Sequence, residues 1–548
     1  MDDSERPPAQ IEPAAPRTAA LPRAAFPIAA IALAAFFIAI QIARSVEPLA
    51  MDQGLFACFG KFIPRGFLPY RDLFDSKPPL FLYTYAIAFA IPGSPVTALW
   101  IFEGLWLAAS MVAIGLLAAR LWGRWCGLAA SAFLFTGLWS PGWGGYWARA
   151  QAEELLALPM IGAAWFALAV PPRRGSAFWA GALTGIAGLY KIPAMGVALA
   201  WPLVWPSNGG RAEGTRAAAL ATAARRTAWM AAGIAAPWAI ALGYFWWRGA
   251  LADLWDGVYV YQKILADTNP PAWGLVIRRF FEKLVSEAPG LLLAAAIGGA
   301  LLVIRRRREA WLVVGWVVTT LAAVVFQRRL FDYHFVVVVP ALAIAGSYGA
   351  VALARAAVGE RGRRRATACG ALAVLAALGV RSALAWRTAY GPDAAALAGA
   401  IPRESFLARF DSGAFSPAAE EAVARILREK TQPGDAILVW GLSPGIYALA
   451  DRRPATRYPF HQVLLTDVFL SQQIPGLEAR RAEFLRRLEA DPPAYIVIGL
   501  HDENGWEPED SYSEMLRFEA FNAFVRGRYE PEVEMDRFLL CRRVEPAR

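Results

Sequence analysis

Long apolar runs, separated by short clusters of arginine, constrain this chain more than any other feature. Candidate spans lie at 25–44, 97–119, 125–140, 151–170, 177–190, 192–206, 228–247, 289–304, 310–326, 335–354 and 367–386, each judged against the roughly 20 apolar residues that a bilayer crossing needs. Arg120 and Arg124 follow the second span, and Arg173 and Arg174 follow the fourth. Arg211, Arg216, Arg225 and Arg226 follow the sixth, Arg305–Arg308 the eighth, and Arg361, Arg363, Arg364 and Arg365 the tenth. All these clusters fall on one side of the membrane if the N-terminus is cytoplasmic. The pattern predicts about eleven crossings and an extracytoplasmic C-terminus, in a multi-pass protein of the plasma (inner) membrane.

The 548 residues are 57% hydrophobic and 18% charged, where a soluble domain carries about 25% charged residues. The net charge of +10 sits in loops between apolar runs, which is the positive-inside pattern and not that of a nucleic-acid partner. Residues 1–24 are rich in Pro and Ala, lack periodicity, and read as a disordered cytoplasmic tail. The first run, Ala25–Ala43, reads as an uncleaved helix in preference to a signal peptide. The expected domains are a transmembrane unit at 25–390, with a large first outer loop at 45–96, and a soluble domain at 391–548.

Two places strain the pattern. Leu80–Ile91 is too short to cross comfortably and reads as a helix lying at the interface. The runs 177–190 and 192–206 are also short, and Lys191-Ile192-Pro193 stands between them. A broken or re-entrant hairpin fits there, since irregular backbone is tolerated at depth where it lines a cavity. The opposite face gathers Asp52, Asp72, Asp75, Asp253, Asp256, Asp267 and Asp332, together with the aromatic run Trp139–Trp147. An interfacial aromatic belt and a sugar-stacking surface both account for those rings.

Past the last run the composition changes. Polar helices at Ser416–Lys430 and Glu478–Ala490 alternate with the short apolar runs Ala436–Gly441 and Ala494–Gly499, the pattern of a small α/β domain. No glycine-rich phosphate loop follows either run. Cys58, Cys126, Cys369 and Cys541 form no CxxC pair, and a Cys58–Cys541 disulfide is compatible with the topology.

Five patches carry a family resemblance. They are Asp52 in MDQG, Gly66–Leu80 (GFLPYRDLFDSKPPL), Ala152–Pro159 (AEELLALP), Leu189–Ile192 (LYKI) and Phe331–Pro340 (FDYHFVVVVP). Ile437–Gly445 with Arg452–Arg457 adds a looser likeness in the tail. Together they resemble the bacterial membrane glycosyltransferases of the GT-C fold, in the branch of protein O-mannosyltransferases and aminoarabinose transferases. The resemblance implies a polytopic helical bundle, a sugar donor joined through phosphate to a polyprenyl lipid, and an acceptor on the extracytoplasmic face. Asp52 matches the family's first-loop acid, but Gln53 stands where a second acid is usual. Glu154 matches the acid of the second-loop motif, and the His and Tyr of the late motif are in changed order at Tyr333-His334.

The residue types suit that chemistry. A carboxylate, Asp52, can take the acceptor's proton. Arg71, Lys77 and Lys191 can offset the charge that develops on a departing phosphate. Asp72, Glu154 and His334 complete the candidate substrate-binding set. A structural reading stands beside this one. Arg71, Asp72, Asp75 and Lys77 can pair among themselves, Asp75 can cap the following helix, and acids at 153 and 154 suit a helix start. A divalent ion, Mg or Mn, is compatible with Asp52 and Glu154, although the amide at Gln53 speaks against it. The leading expectation is an inverting transferase; the rival is a transporter or flippase of lipid-linked sugars. The acceptor can be protein, lipid or wall glycan.

Overall fold

The computed structural model of the chain describes residues 21–170, 174–201, 216–267, 271–307, 309–465, 476–505 and 507–544. Most of the expected N-terminal tail, Arg173, Arg211, Arg308 and the end of the expected span 192–206 lie outside them.

Six helices among the described residues are long and apolar enough to cross a membrane: Ala25–Val46, Pro95–Trp122, Ala152–Ala169, Leu220–Trp247, Asp332–Gly359 and Gly362–Leu397. A seventh arises if Trp273–Glu287 and Pro289–Ile304, bent by 97°, form one broken span. The remaining expected spans are shorter. Arg124–Leu138 and Arg174–Gly188 have 15 residues each, and Ala310–Phe326 has 17. The run from 192 opens as the 3-10 helix Ile192–Leu199, with Pro193 in its first turn, where a missing N–H costs nothing. Lys191 before it is extended, at φ −155° and ψ 114°.

The first outer loop begins with the helix Met51–Phe62, which packs on the short helix Pro79–Ala88 through Phe56 and Phe81, 4.6 Å apart edge to face. The helix expected at Leu80–Ile91 is thus short, as its length predicted, at ten residues. Phe81, Leu82 and Tyr85 are buried, Phe81 and Tyr85 against Phe56 of the first-loop helix. Asp75 does not cap it. The N-cap is Pro78, and Asp75 Oδ1 instead accepts the backbone N–H of Lys77 at 2.7 Å.

The tail is an α/β unit built on one mixed sheet. Its strands are β1 (Ala436–Trp440), β2 (Arg453–Pro454), β3 (Tyr495–Gly499), β4 (Tyr529–Glu534) and β5 (Phe538–Arg543), in the order β2-β1-β3-β5-β4. β1 runs parallel to β2 and β3, whereas β5 is antiparallel to both β3 and β4. Both β1 and β3 are buried along their whole length, as their continuous apolar runs require. Ser416 caps the helix Pro417–Lys430 by accepting the N–H of Ala419.

The tail sits directly on the first loop. Gly54 and Gly445 meet so closely that a Cβ on Gly54 would come 2.7 Å from the Gly445 Cα. Phe74 joins the tail's core, and its N–H donates to the Arg457 carbonyl at 2.7 Å. Arg457 reaches Asp253 at 2.8 Å and Arg480 reaches Asp256 at 2.7 Å, tying the tail to the 251–267 segment as well. All four cysteines are free, so the Cys58–Cys541 disulfide is not formed: Cys58 lies in the core under the loop, and Cys541 lies on β5 within the tail.

Candidate active site

The conformation of the loop around Lys77 starts at Tyr70. Its φ of +70° is a left-handed backbone that a bulky residue adopts only when its surroundings demand it. The demand is visible: the Tyr70 N–H donates to the Leu73 carbonyl at 2.6 Å, and its hydroxyl donates to the Lys77 carbonyl at 2.7 Å. The 251–267 segment closes over this turn at Gly257, where a Cβ would lie 2.5 Å from the Asp75 carbonyl oxygen. Lys77 is thereby held with its ammonium 5.7 Å from the Phe56 ring and without an ion-pair partner among the described residues.

That ammonium lines a cavity of about 850 Å³. Lys191, His334 and Glu153 line it too, and the sequence motifs that carry them lie far apart in the chain. Lys191 is ion-paired to Glu153, and His334 Nε2 lies 4.0 Å from the same Glu153 oxygen. The irregular stretch 190–199 forms one wall, contributing Tyr190, Pro193 and Leu199, so the broken backbone does border a cavity. Lys263 and Arg329 line the cavity as well. Phe326 and Leu199, which also line it, are 74% and 77% exposed, so apolar surface at its border is accessible from outside.

Asp52 stands in the first turn of Met51–Phe62, and its Oδ2 accepts from Gln151 Nε2 at 2.8 Å. Its other oxygen has no hydrogen bond among the described residues. Asp52 is near enough to Asp75 for its charge to act there. Burial pushes the Asp75 carboxyl up to about 6; Lys77 and the Lys77 and Ser76 amides pull the other way, and the Asp52 charge adds to the rise.

Asp52 is not among the residues that line the cavity, and neither are Arg71, Asp72 and Glu154. Arg71 grips its neighbour Asp72 with two bonds, of 3.0 and 2.8 Å, and Asp72 also accepts the Leu68 N–H. Burial works to raise the Asp72 carboxyl, but these donors outweigh it and hold it low. Glu154 is buried, with one oxygen on Trp139 Nε1 at 3.1 Å and the other on the Ala150 N–H at 2.8 Å. Sequence favours Glu154 over its neighbour Glu153 and gives no sign of Lys263 or Arg329. A single turn, Ala152–Leu155, carries both acids, and sequence does not say which of two adjacent side chains faces inward. The acid that the metal reading needs at 154 has both oxygens engaged, and among the described residues no group of three or more His, Cys, Asp or Glu is placed to hold a metal ion.

No family model and no curated protein sequence matches the chain. Among solved structures, ArnT from Cupriavidus metallidurans bound to undecaprenyl phosphate superposes with a TM-score of 0.58 at 14% identity, over 93% of this chain and 97% of that one. The same protein in the apo state gives 0.54 at 14% identity, over 94% and 98%. The chain has the GT-C fold that its motifs resemble, with helices suited to a membrane.

Proposed function

We propose that the protein is an inverting membrane glycosyltransferase that moves a sugar from a polyprenyl-phosphate donor to an acceptor on the extracytoplasmic face. The observation that carries this reading is the cavity itself, which Lys77, Lys191, Glu153 and His334 line together with the exposed apolar side chains Leu199 and Phe326. A phosphate joined to a long hydrocarbon chain suits both the cationic and the apolar lining. The likeness to ArnT, crystallised with undecaprenyl phosphate, supports the same donor class.

In the proposed step the acceptor oxygen attacks the anomeric carbon while the bond from that carbon to the phosphate oxygen breaks. The acceptor's proton passes to Asp52, whose free oxygen and anchoring by Gln151 suit a base. Lys77 offsets the charge that appears on the departing phosphate, and Lys191, held by Glu153, does so from the other wall. One displacement inverts the anomeric configuration. No step is routed through a metal.

Incubation of the purified protein with a panel of polyprenyl-phosphate sugars, followed by mass spectrometry, should show one donor consumed and polyprenyl phosphate released. Asp52→Asn should lower that turnover by roughly 10²–10⁴-fold. Undiminished turnover in the variant removes Asp52 from the base role. Movement of the donor across a bilayer without its consumption would replace the transferase by a flippase.

A further inference from the structure

A second cavity, of about 470 Å³, lies at the other end of the helices that frame the first. Glu153 lines the first at the start of Ala152–Ala169, and Leu168 lines the second near that helix's end. In the same way Phe326 borders the first while Glu309, at the N-cap of Ala310–Phe326, borders the second. Seventeen helical residues rise about 25 Å, so the two cavities stand at opposite faces of the membrane.

The second cavity is walled by Arg120, Arg305, Arg306 and Arg307, with Glu309 as its single acid. Arg305 donates to the Tyr348 hydroxyl at 3.1 Å, and Arg307 lies 3.5 Å from Glu309. Arg120 and Arg306 have no ion-pair partner among the described residues. Arginines at helix ends on this face are expected from the positive-inside bias and from the helix dipole. Neither accounts for the backbone at Arg306. Pro289–Ile304 ends in a Schellman turn: the Arg307 N–H donates to the Leu302 carbonyl at 2.9 Å and the Arg306 N–H to the Val303 carbonyl at 2.9 Å. Arg306 occupies the left-handed position of that turn, at φ +49°, where glycine is the usual residue. The chain keeps a strained arginine where the fold alone would favour glycine, and that arginine lines the cavity.

We infer that this cavity binds the phosphate headgroup of an anionic membrane lipid. Arginine forks match phosphate oxygens in pairs, and basic pockets between helices at this level of the bilayer suit such headgroups. Ile304 and Trp311, 73% and 59% exposed beside it, offer apolar surface for the lipid's chains. Free phosphate shares the headgroup's chemistry but makes no use of that surface.

The test uses the full chain in lipid-depleted detergent, titrated with phosphatidylglycerol, with phosphatidylcholine of the same chains, or with inorganic phosphate, and read by native mass spectrometry and thermal midpoint. Retention of phosphatidylglycerol should fall about tenfold or more in Arg306→Gly and in Arg120→Gln. Arg306→Gly relaxes the turn, so its lipid-free midpoint should equal or exceed that of the parent, which separates lost binding from lost folding. Retention within about twofold of the parent in both variants overturns the site. Equal retention of phosphatidylcholine overturns it as well, by showing an unselective lipid shell. A phosphate-induced shift as large as the lipid's would reassign the cavity to the free anion.

Discussion

Two buried ionic clusters in this molecule use the same kinds of residue to different ends. One ties the first helix to the outer loops: Arg149 lies 2.8 Å from Glu47 and 2.9 Å from Glu103, and Arg44 lies 3.2 Å from Glu47 and 3.6 Å from Glu103. Two cations meet two anions, all of them 3% exposed or less, and the Arg44 guanidinium lies 4.1 Å above the Trp139 ring. The other cluster lines the large cavity, where Lys191 pairs with Glu153 and Lys77 has no ion-pair partner among the described residues. The first balances two cations against two anions out of contact with water, although Arg44 Nη1 and Nη2 and Glu103 Oε1 make no hydrogen bond. The second holds the unpaired Lys77 and is open, so an outside anion completes it. Charge balance and access, not residue type, separate a brace from a site.

The sharpest way to break this comparison is to remove one charge from each cluster. Arg149→Ala leaves Glu47 and Glu103 buried with half their compensation and should cost about 3–5 kcal/mol of stability, read as loss of folded protein in detergent. Lys77→Ala should leave the thermal midpoint near that of the parent and lower kcat/KM for the polyprenyl-phosphate donor by roughly 10²–10³-fold. If Lys77→Ala unfolds the protein, or Arg149→Ala merely slows it, the assignment of brace and site is reversed.

Asp75 stands at the border of the second cluster and sharpens the contrast through pH. Its carboxyl is raised from 3.8 to about 6, chiefly by burial. The folded state therefore binds this proton more tightly than the unfolded state. The resulting stabilisation, up to about 3 kcal/mol, is complete below about pH 3.8 and is lost as pH rises through about 6. Asp75→Asn keeps an oxygen to accept the Lys77 N–H and carries no charge. The fall of the thermal midpoint between pH 4 and 7 should be shallower in this variant, while a variant in the closed brace leaves that slope in place.

The sequence showed the parts of the fold that repeat and the parts of the site that are ionic. Apolar runs with arginine between them located the helices, and Lys77, Lys191 and His334, named from separate motifs, face one cavity. The β4–β5 hairpin went unread because β4 is an exposed polar strand, broken by a register shift after Pro531, and so shows no alternation. The self-contained Arg71–Asp72 pair could not be told from a substrate grip, because adjacent opposite charges have the same spelling in either role. The Arg44–Glu47–Glu103–Arg149 brace was invisible because its members come from segments up to about a hundred residues apart and no local pattern marks them.

Gln53 gives the mildest test and bears on why this chain departs from the acid pair that the resemblance would suggest. Its Oε1 accepts the Ala50 N–H at 2.8 Å, while its Nε2 donates to the carbonyls of Arg149 at 2.8 Å and Tyr146 at 3.2 Å. It fixes the start of the helix that carries Asp52 against the loop that carries Arg149, and so links the site to the brace. A carboxylate can accept but cannot donate. Gln53→Glu would therefore leave the two carbonyls without their donor and set a charge against them, in a position that is 0% exposed. The expected cost is about 1–3 kcal/mol, seen as a lower thermal midpoint. Turnover should fall less than in Asp52→Asn, because the substitution loosens the base's support and leaves the base in place. If Gln53→Glu raised turnover at unchanged stability, position 53 would belong to the site and not to its scaffold.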